Sequence, residues 1–224
     1  MIKPGEAWGD ATDAAPDAVV EGGDRALANF VARAGIGDPV PLVRFLAHGS
    51  SLARAVGLGP RGHDDPGAPG GVALPLDAID SDAGVAVNAI VVGVPPARLR
   101  ITDRRVPLVV TVDGRELYRG RATTVVIANG QFLDGADAVP RGHPGDGRLE
   151  VQIYALTPRE RAEMRRRLPA GGHVPHPRIV TGSAKEVVVE LAGRPAPLLR
   201  DGEPDAPVRA LRARVRHPAV RLLV

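Results

Sequence analysis

Apolar residues follow two different rhythms along the chain, mixed strand and helix at first and then, from about residue 72, short runs parted by turn residues. Ala18-Val19-Val20 runs into Gly22-Gly23-Asp24, after which Leu27, Phe30, Val31 and Ala34 fall on one helix face. The pattern repeats with Leu42-Val43-Arg44-Phe45-Leu46 as strand, Ala47-His48-Gly49-Ser50-Ser51 as turn and Leu52 to Val56 as helix. Two strand-turn-helix units in succession predict a parallel α/β arrangement. Residues 1–16 are polar, punctuated by Pro and Gly, and read as an arm or edge segment.

Residues 59–71 are rich in Gly, Pro and Asp and read as a surface loop or linker. Beyond them, Val72 to Ile79, Gly84 to Val94, Val106 to Val112, Arg121 to Ala128, Leu149 to Leu156, Lys185 to Leu191, Val208 to Val215 and Ala219 to Val224 read as strands. Asp113-Gly114 after the alternating Val110 and Val112 marks a hairpin. One helix interrupts the strands: Thr157 caps it, Pro158 opens it and Glu160 closes a capping box, with a stop before Pro169. The predicted class is α+β, a β-sandwich-like domain over 72–224 preceded by a reduced α/β unit over 1–65.

Composition adds constraints. The chain of 224 residues is 44% hydrophobic and 25% charged, the balance of a globular protein. With aromatics at 3%, the cores must be built from Val, Leu, Ile and Ala. Net charge is +3, yet Lys3 and Lys185 are the only lysines among 29 basic residues. Arg165, Arg166 and Arg167 have no stacking aromatics near them, so nucleic acid is not expected as a partner. No stretch reaches the roughly 18 apolar residues of a membrane-spanning helix. The first residues carry no apolar signal segment and there is no cysteine, so a cytoplasmic protein without thiolate metal sites is expected.

Two Gly-containing turns precede helices, where backbone N–H groups and the helix dipole favour phosphate. Taken singly, each is equally an ordinary turn, with Ser50 or Ser51 as a helix cap. Their order in the chain is more specific. Val20-Glu21-Gly22-Gly23-Asp24-Arg25-Ala26-Leu27 resembles the Gly-Gly-Asp-Gly-Thr-Leu motif of the diacylglycerol and sphingosine lipid kinases, and Leu46-Ala47-His48-Gly49-Ser50-Ser51-Leu52-Ala53-Arg54 resembles that family's second loop. Val87-Asn88, Asn129-Gly130, Pro140, Asp146-Gly147-Arg148-Leu149-Glu150-Val151 and Asp201-Gly202-Glu203 continue the series in order. The chain thus resembles this lipid-kinase family from residue 17 to the end.

The resemblance implies a reduced NAD kinase/diacylglycerol kinase-like α/β unit, because several strand-helix units normally precede the first loop and about twenty residues do so here. It implies ATP and Mg²⁺ as cofactors, with Gly22, Gly23, Asp24, Gly49 and Ser50 in the nucleotide loops. It implies Asp201 as the base that deprotonates a lipid hydroxyl, with Glu203 closing the motif. Arg25 and Ala26 stand where the family has Gly and Thr, and His48, Ser50 and Ser51 stand where it has Thr, Asn and Asp. A lipid-like ligand with impaired phosphorylation is therefore expected. An active kinase completed by an oligomer or a partner, and a purely structural or interaction module, are the alternatives. Further expectations are an apolar groove between the two units, transient contact of the basic helix Arg159 to Arg167 with an anionic membrane surface, and homo-oligomerisation.

Other chemistry is weaker. Asp201 sits in a sequence that also suits a solvated hairpin turn, and Asp146 and Glu150 suit either a structural turn or a weakly held hard cation. His173 and His176 have no third ligand nearby and flank Pro175, so no metal site is expected from them.

Overall fold

The computed structural model describes residues 8–35, 39–58 and 71–224; most of the Gly/Pro-rich segment 59–71 and the first part of the N-terminal arm lie outside the described residues. In chain order the elements are β1 (Asp10–Thr12), β2 (Ala18–Gly22), α1 (Asp24–Ala34), β3 (Leu42–Ala47), α2 (Ser51–Ala55), β4 (Gly71–Ser81), β5 (Gly84–Ala86) and β6 (Ala89–Gly93). There follow β7 (Val106–Val112), β8 (Arg115–Ala122), β9 (Thr124–Ala128), β10 (Phe132–Leu133), β11 (Ala136–Asp137), β12 (Leu149–Tyr154) and α3 (Pro158–Arg167). The chain ends with β13 (Ile179–Ala184), β14 (Glu186–Leu191), β15 (Ala196–Arg200), β16 (Glu203–Val208) and β17 (Ala210–Leu223).

Two sheets face each other. The first runs β1-β4-β17-β14-β7-β8, with β5 on β4 and the parallel pair β2-β3 attached to β17; the second runs β13-β12-β9-β6-β15-β16. Period-two alternation explains the layer between them. Leu149, Val151 and Ile153 of β12, Leu108 and Val110 of β7, and Val187 and Val189 of β14 all point into one core. Burying each such side chain contributes about 1.5–3 kcal/mol, so this layer is the main source of stability.

A second core joins the α/β segment to the first sheet. Leu27, Ala28 and Val31 of α1 and Leu52 of α2 pack with Val43, Phe45, Leu76, Val87 and Leu222. The hydrogen-bonded ladder is also shared, because Leu42, Val43 and Arg44 pair in parallel with Arg221, Leu222 and Leu223. A third cluster, including Met164 and Leu168, covers part of the outer face of the second sheet.

The structure departs from the sequence pattern in informative places. The run from Arg121 to Ala128 is the end of β8 and all of β9, and the run from Gly84 to Val94 is β5 and β6 with a break at Val87-Asn88. The two predicted C-terminal strands are one, β17, whose pairing with β4 slips between Arg216 and Val220. Pro218 lies in that slip and has no N–H for the ladder, so the sequence looked interrupted where the strand is not. β15 is hidden by Pro197, which falls where its register with β16 slips, and β16 by Pro204 and Pro207, which it tolerates at the sheet edge.

The α3 start is as expected: the Glu160 carboxylate accepts from the Thr157 N–H at 2.7 Å. Its apolar positions by helical spacing are Ala162, Met164 and Leu168, and the buried face differs from them. Ala162 is exposed and Arg161 is buried, and one Arg161 guanidinium nitrogen donates to the carbonyls of Arg100, Ile101 and Asp103. A buried arginine with one nitrogen held by carbonyls can stand in for an apolar residue, although Arg161 Nε has no hydrogen-bond partner among the described residues, and hydropathy alone does not anticipate it.

Candidate functional site

The first loop is set by Gly22, whose φ of 131° suits glycine and whose missing Cβ would meet the Ala26 Cβ at 2.9 Å. Gly23 then caps α1 and Asp24 is its first residue. The second loop is laid against the first: the His48 N–H donates to the Gly22 carbonyl at 2.8 Å, and Gly49 turns the chain at φ 63°. Ser50 caps α2, its Oγ accepting from the Ala53 N–H at 2.8 Å.

Asp24 fastens the two loops together. Its carboxylate accepts from the Ser50 hydroxyl and from the N–H groups of Ser51 at 3.1 Å and Leu52 at 3.2 Å. These bonds favour the anion, but burial outweighs them and pushes the Asp24 carboxyl above its ordinary pKa.

Asp201 lies on the turn between β15 and β16 at φ 51°, a left-handed conformation that Asp tolerates. The turn matches the sequence, and of the two readings of its acid the solvated one does not hold. Its carboxylate is turned inward, accepting from the N–H groups of Val87 at 3.0 Å, Asn88 at 2.8 Å and Ala89 at 3.1 Å. This three-donor nest fills the break between β5 and β6. Burial is the largest influence on the Asp201 carboxyl and raises it to about 6; the backbone bonds oppose the rise and the nearby charge of Asp24 adds to it. The folded chain therefore brings Gly22, Gly23, Asp24, Gly49 and Ser50 to one place and sets Asp201 within electrostatic range of Asp24.

Arg25 connects Glu203 to the same place. Its guanidinium donates to Glu203 at 3.3 Å and to Asp205 at 3.1 Å, with 14% of the side chain exposed. Asp205 also accepts from Arg200 at 2.5 Å, and Arg200 donates to the Val85 carbonyl at 2.8 Å. The paired arginines hold the Asp205 carboxyl below its usual range against the opposing effect of burial. Sequence reading flagged Arg25 as a departure from a motif but gave no sign of Asp205 or Arg200, which are 180 and 175 positions away from it.

The asparagines of the motif series are structural. Asn129 Nδ2 donates to the carbonyls of Asp77 and Val87, both at 2.9 Å, and Asn88 Nδ2 donates to the Phe132 carbonyl at 3.0 Å. Gly130 must lack a side chain because a Cβ would lie 2.2 Å from Asn88 Oδ1. Asp77 was not anticipated. It is fully buried, accepts from the Gly147 N–H at 2.7 Å and lies 2.5 Å from His217 Nδ1, and burial lifts its carboxyl to about 6.

Asp146 Oδ1 accepts from the Arg148 N–H at 3.0 Å, as in a structural turn. His173 is buried with Nε2 3.3 Å from the Tyr154 hydroxyl, and burial lowers its pKa. Among the described residues no group of three or more His, Asp or Glu side chains is placed to hold a metal ion, and no helix is long and apolar enough to cross a membrane. Of two cavities described, the larger lies on the outer face of the second sheet and takes none of its lining from α1, α2 or their loops.

A two-sheet sandwich with paired Gly-containing loops against one end defines a NAD kinase-like architecture. Residues 98–224 match the family model described as the YegS C-terminal NAD kinase beta sandwich-like domain, and the chain belongs to that family. A proposed diacylglycerol kinase from Bacillus anthracis str. Sterne superimposes with a TM-score of 0.74 at 16% identity, covering 92% of this chain and 78% of that one. A second structure from the same organism, described as a diacylglycerol kinase, gives a TM-score of 0.69 at 16% identity over 92% of this chain and 76% of that one. These likenesses establish a shared fold. No curated protein matches the chain.

Proposed function

We propose that this chain is a lipid-kinase-family protein that binds a lipid-like ligand near the Asp24 and Asp201 loops and is impaired in ATP-dependent phosphorylation. One observation carries the reading. Arg25 replaces the glycine expected beside a phosphate, and its guanidinium is tied by Glu203 and Asp205 across the space between the first loop and the β15–β16 turn. Asp24 and Ser50 are engaged with each other and with the start of α2, and Ala26 offers no hydroxyl. A nucleoside triphosphate needs backbone N–H groups and small residues there, so the loops as they stand do not fit one. On this reading Mg²⁺ has no bound phosphate to bridge.

The experiment is a thermal denaturation series with ATP and Mg²⁺. Binding to the native state must stabilise it. The expected result is no shift for the wild type and a rise for the double variant Arg25→Gly, Ala26→Thr. A clear rise for the wild type at cellular nucleotide concentrations would overturn the proposal.

The active-kinase alternative draws support from Asp201, which lies within electrostatic range of Asp24 and has a carboxyl raised to about 6, closer to the range of a general base. It predicts lipid phosphorylation that Asp201→Asn abolishes; on the preferred reading both proteins are silent. That variant also alters the nest at Val87–Ala89, so its stability must be measured alongside. The module alternative draws on β2, which pairs with β3 alone among described strands and carries the exposed Val19. Self-association through that edge, and brief contact of the exposed Arg165, Arg166 and Arg167 with anionic lipid at a cytoplasmic membrane face, belong to the proposal.

A further inference from the structure

One stretch of the second sheet's outer face is uncovered. On β12 and β13, Glu150 pairs with Ser183 and Gln152 with Thr181, on the face opposite the sandwich core. Where α3 and the segment around Val139 leave them open, a cavity of about 1110 Å³ lies over them, ample for a small-molecule ligand.

The cavity changes character along β12. At the Ile179 end the lining is mainly apolar, from Val139, Val174, Pro175, Pro177 and Ile179, with His176, bridged to Ile179, as its polar member. At the Ser183 end, four residues and about 13 Å along the strands, it holds two arginines and two acids, Arg141, Arg148, Asp146 and Glu150. The polar end is organised. The Arg148 guanidinium donates to Ser183 Oγ at 2.8 Å and to the Ser183 carbonyl at 2.7 Å, and burial pushes the Glu150 carboxyl upward. Between the ends sits Gln152, buried at 4% exposure, whose carboxamide oxygen accepts from the Tyr154 hydroxyl at 2.6 Å. The Tyr154 oxygen is in turn 3.3 Å from His173 Nε2. This buried relay fixes the carboxamide so that its N–H groups are what remains for the cavity.

We propose that this cavity is a second ligand site, for a single-chain amphiphile with a hydroxylated anionic head. The tail lies along Val139, Val174 and Ile179. The acidic group meets Arg148 and the Gln152 amide, and a head hydroxyl donates to Glu150. A purely anionic head would face Glu150 and Asp146 without a donor, and a purely neutral one would make no use of the charges of Arg148 and Arg141. The site lies apart from the Asp24 and Asp201 loops. In the second sheet, β12 and β13 are three and four strands away from β15, which leads to Asp201. At the usual spacing that is about 14–19 Å, too far for a head group held here to reach Asp201. The ligand is therefore bound and not phosphorylated, and the inference stands whether or not the cleft takes ATP.

The test is isothermal titration of the full chain with 12-carbon lysophosphatidate below its micelle concentration. One Arg148-dependent molecule per chain is expected at this site, apart from any held near the Asp24 and Asp201 loops, with its affinity reduced at least about tenfold by Arg148→Gln and by Thr181→Trp, an exposed floor position where a large ring fills the cavity without touching the core. Arg25→Ala, at the other site, should leave that Arg148-dependent affinity unchanged. The proposal is overturned by any of four results: no binding, a titration unchanged by Thr181→Trp, loss of the Arg148-dependent binding in Arg25→Ala, or glycerol phosphate binding as tightly as the lysolipid. Failure of the ATP series would leave each of these readouts intact.

Discussion

Removing Arg25 should cost little stability for a residue so centrally placed, and the amount follows from its two partners. Glu203 is 62% exposed on its side chain, so its pair with Arg25 is screened by solvent and contributes at most about 0–1 kcal/mol. Asp205 is 27% exposed and its hydrogen bond to Arg25 is charge-assisted, which places it near the low end of about 1.5–3 kcal/mol. Loss of Arg25 does not strand Asp205, because Arg200 still holds it at 2.5 Å. The penalty for an orphaned buried charge is thereby avoided. Arg25→Ala should then lower stability by about 1–2 kcal/mol, measured by urea unfolding. A double-mutant cycle gives the sharper test. Coupling of Arg25 with Asp205 should be about 1 kcal/mol, and with Glu203 under about 0.5 kcal/mol. The reasoning fails if Glu203 couples more strongly than Asp205, or if neither couples measurably.

Three further outcomes follow from the same geometry. Gly93→Ala should destabilise by more than about 2 kcal/mol in chemical denaturation, since φ is 99° and a Cβ would lie 2.2 Å from the Thr123 carbonyl oxygen. Asn129→Ala leaves the buried carbonyls of Asp77 and Val87 without their donor and should cost about 2–4 kcal/mol by the same assay. Asp77, beside His217 and Asp146, has a folded pKa of about 6 against an ordinary 3.8, so the folded state holds its proton more tightly. The cost of charging it is absent below pH 3.8 and complete above about pH 6; between pH 6 and pH 4 the wild type should gain about 2–3 kcal/mol relative to Asp77→Asn. Unfolding curves whose separation stays constant across that window would contradict the assignment.

The two loops and the Asp201 turn were legible because each is written in contiguous residues with a local rule: glycine for positive φ, Ser before a helix, Asp-Gly for a tight turn. The Thr157 to Glu160 capping box was legible for the same reason. The rest depends on contacts between distant positions. Nothing near Asp77 in sequence indicates that β17 will deliver His217 to it. Nothing near Arg161 foretells three carbonyls of the segment after β6. The continuity of β17 was hidden by Pro218, and β16 by two prolines, because strand patterns assume a complete ladder while an edge or a slipped register does not need one.

Asp24 and Asp201 show why the retained acids of a motif need separate weighing from its lost glycines. Each carboxylate is held by backbone N–H groups, Asp24 by Ser51 and Leu52 and Asp201 by Val87, Asn88 and Ala89, so each has structural work independent of any substrate. Their presence therefore does not discriminate between a working and an impaired site. On the proposed reading Arg25 does discriminate, because a guanidinium tied to Asp205 has its own energetic reason to remain where that reading puts a phosphate. A nucleotide would have to displace it, losing the pair with Asp205 before gaining a phosphate contact. Restoring glycine at position 25 removes that competition and leaves both acids in place, so a gain of ATP binding in Arg25→Gly with Ala26→Thr isolates the loop as the determinant. If that variant stays blind to ATP while the wild-type fold is preserved, the obstacle lies elsewhere than at Arg25 and Ala26, and the clamp is then only a structural tie.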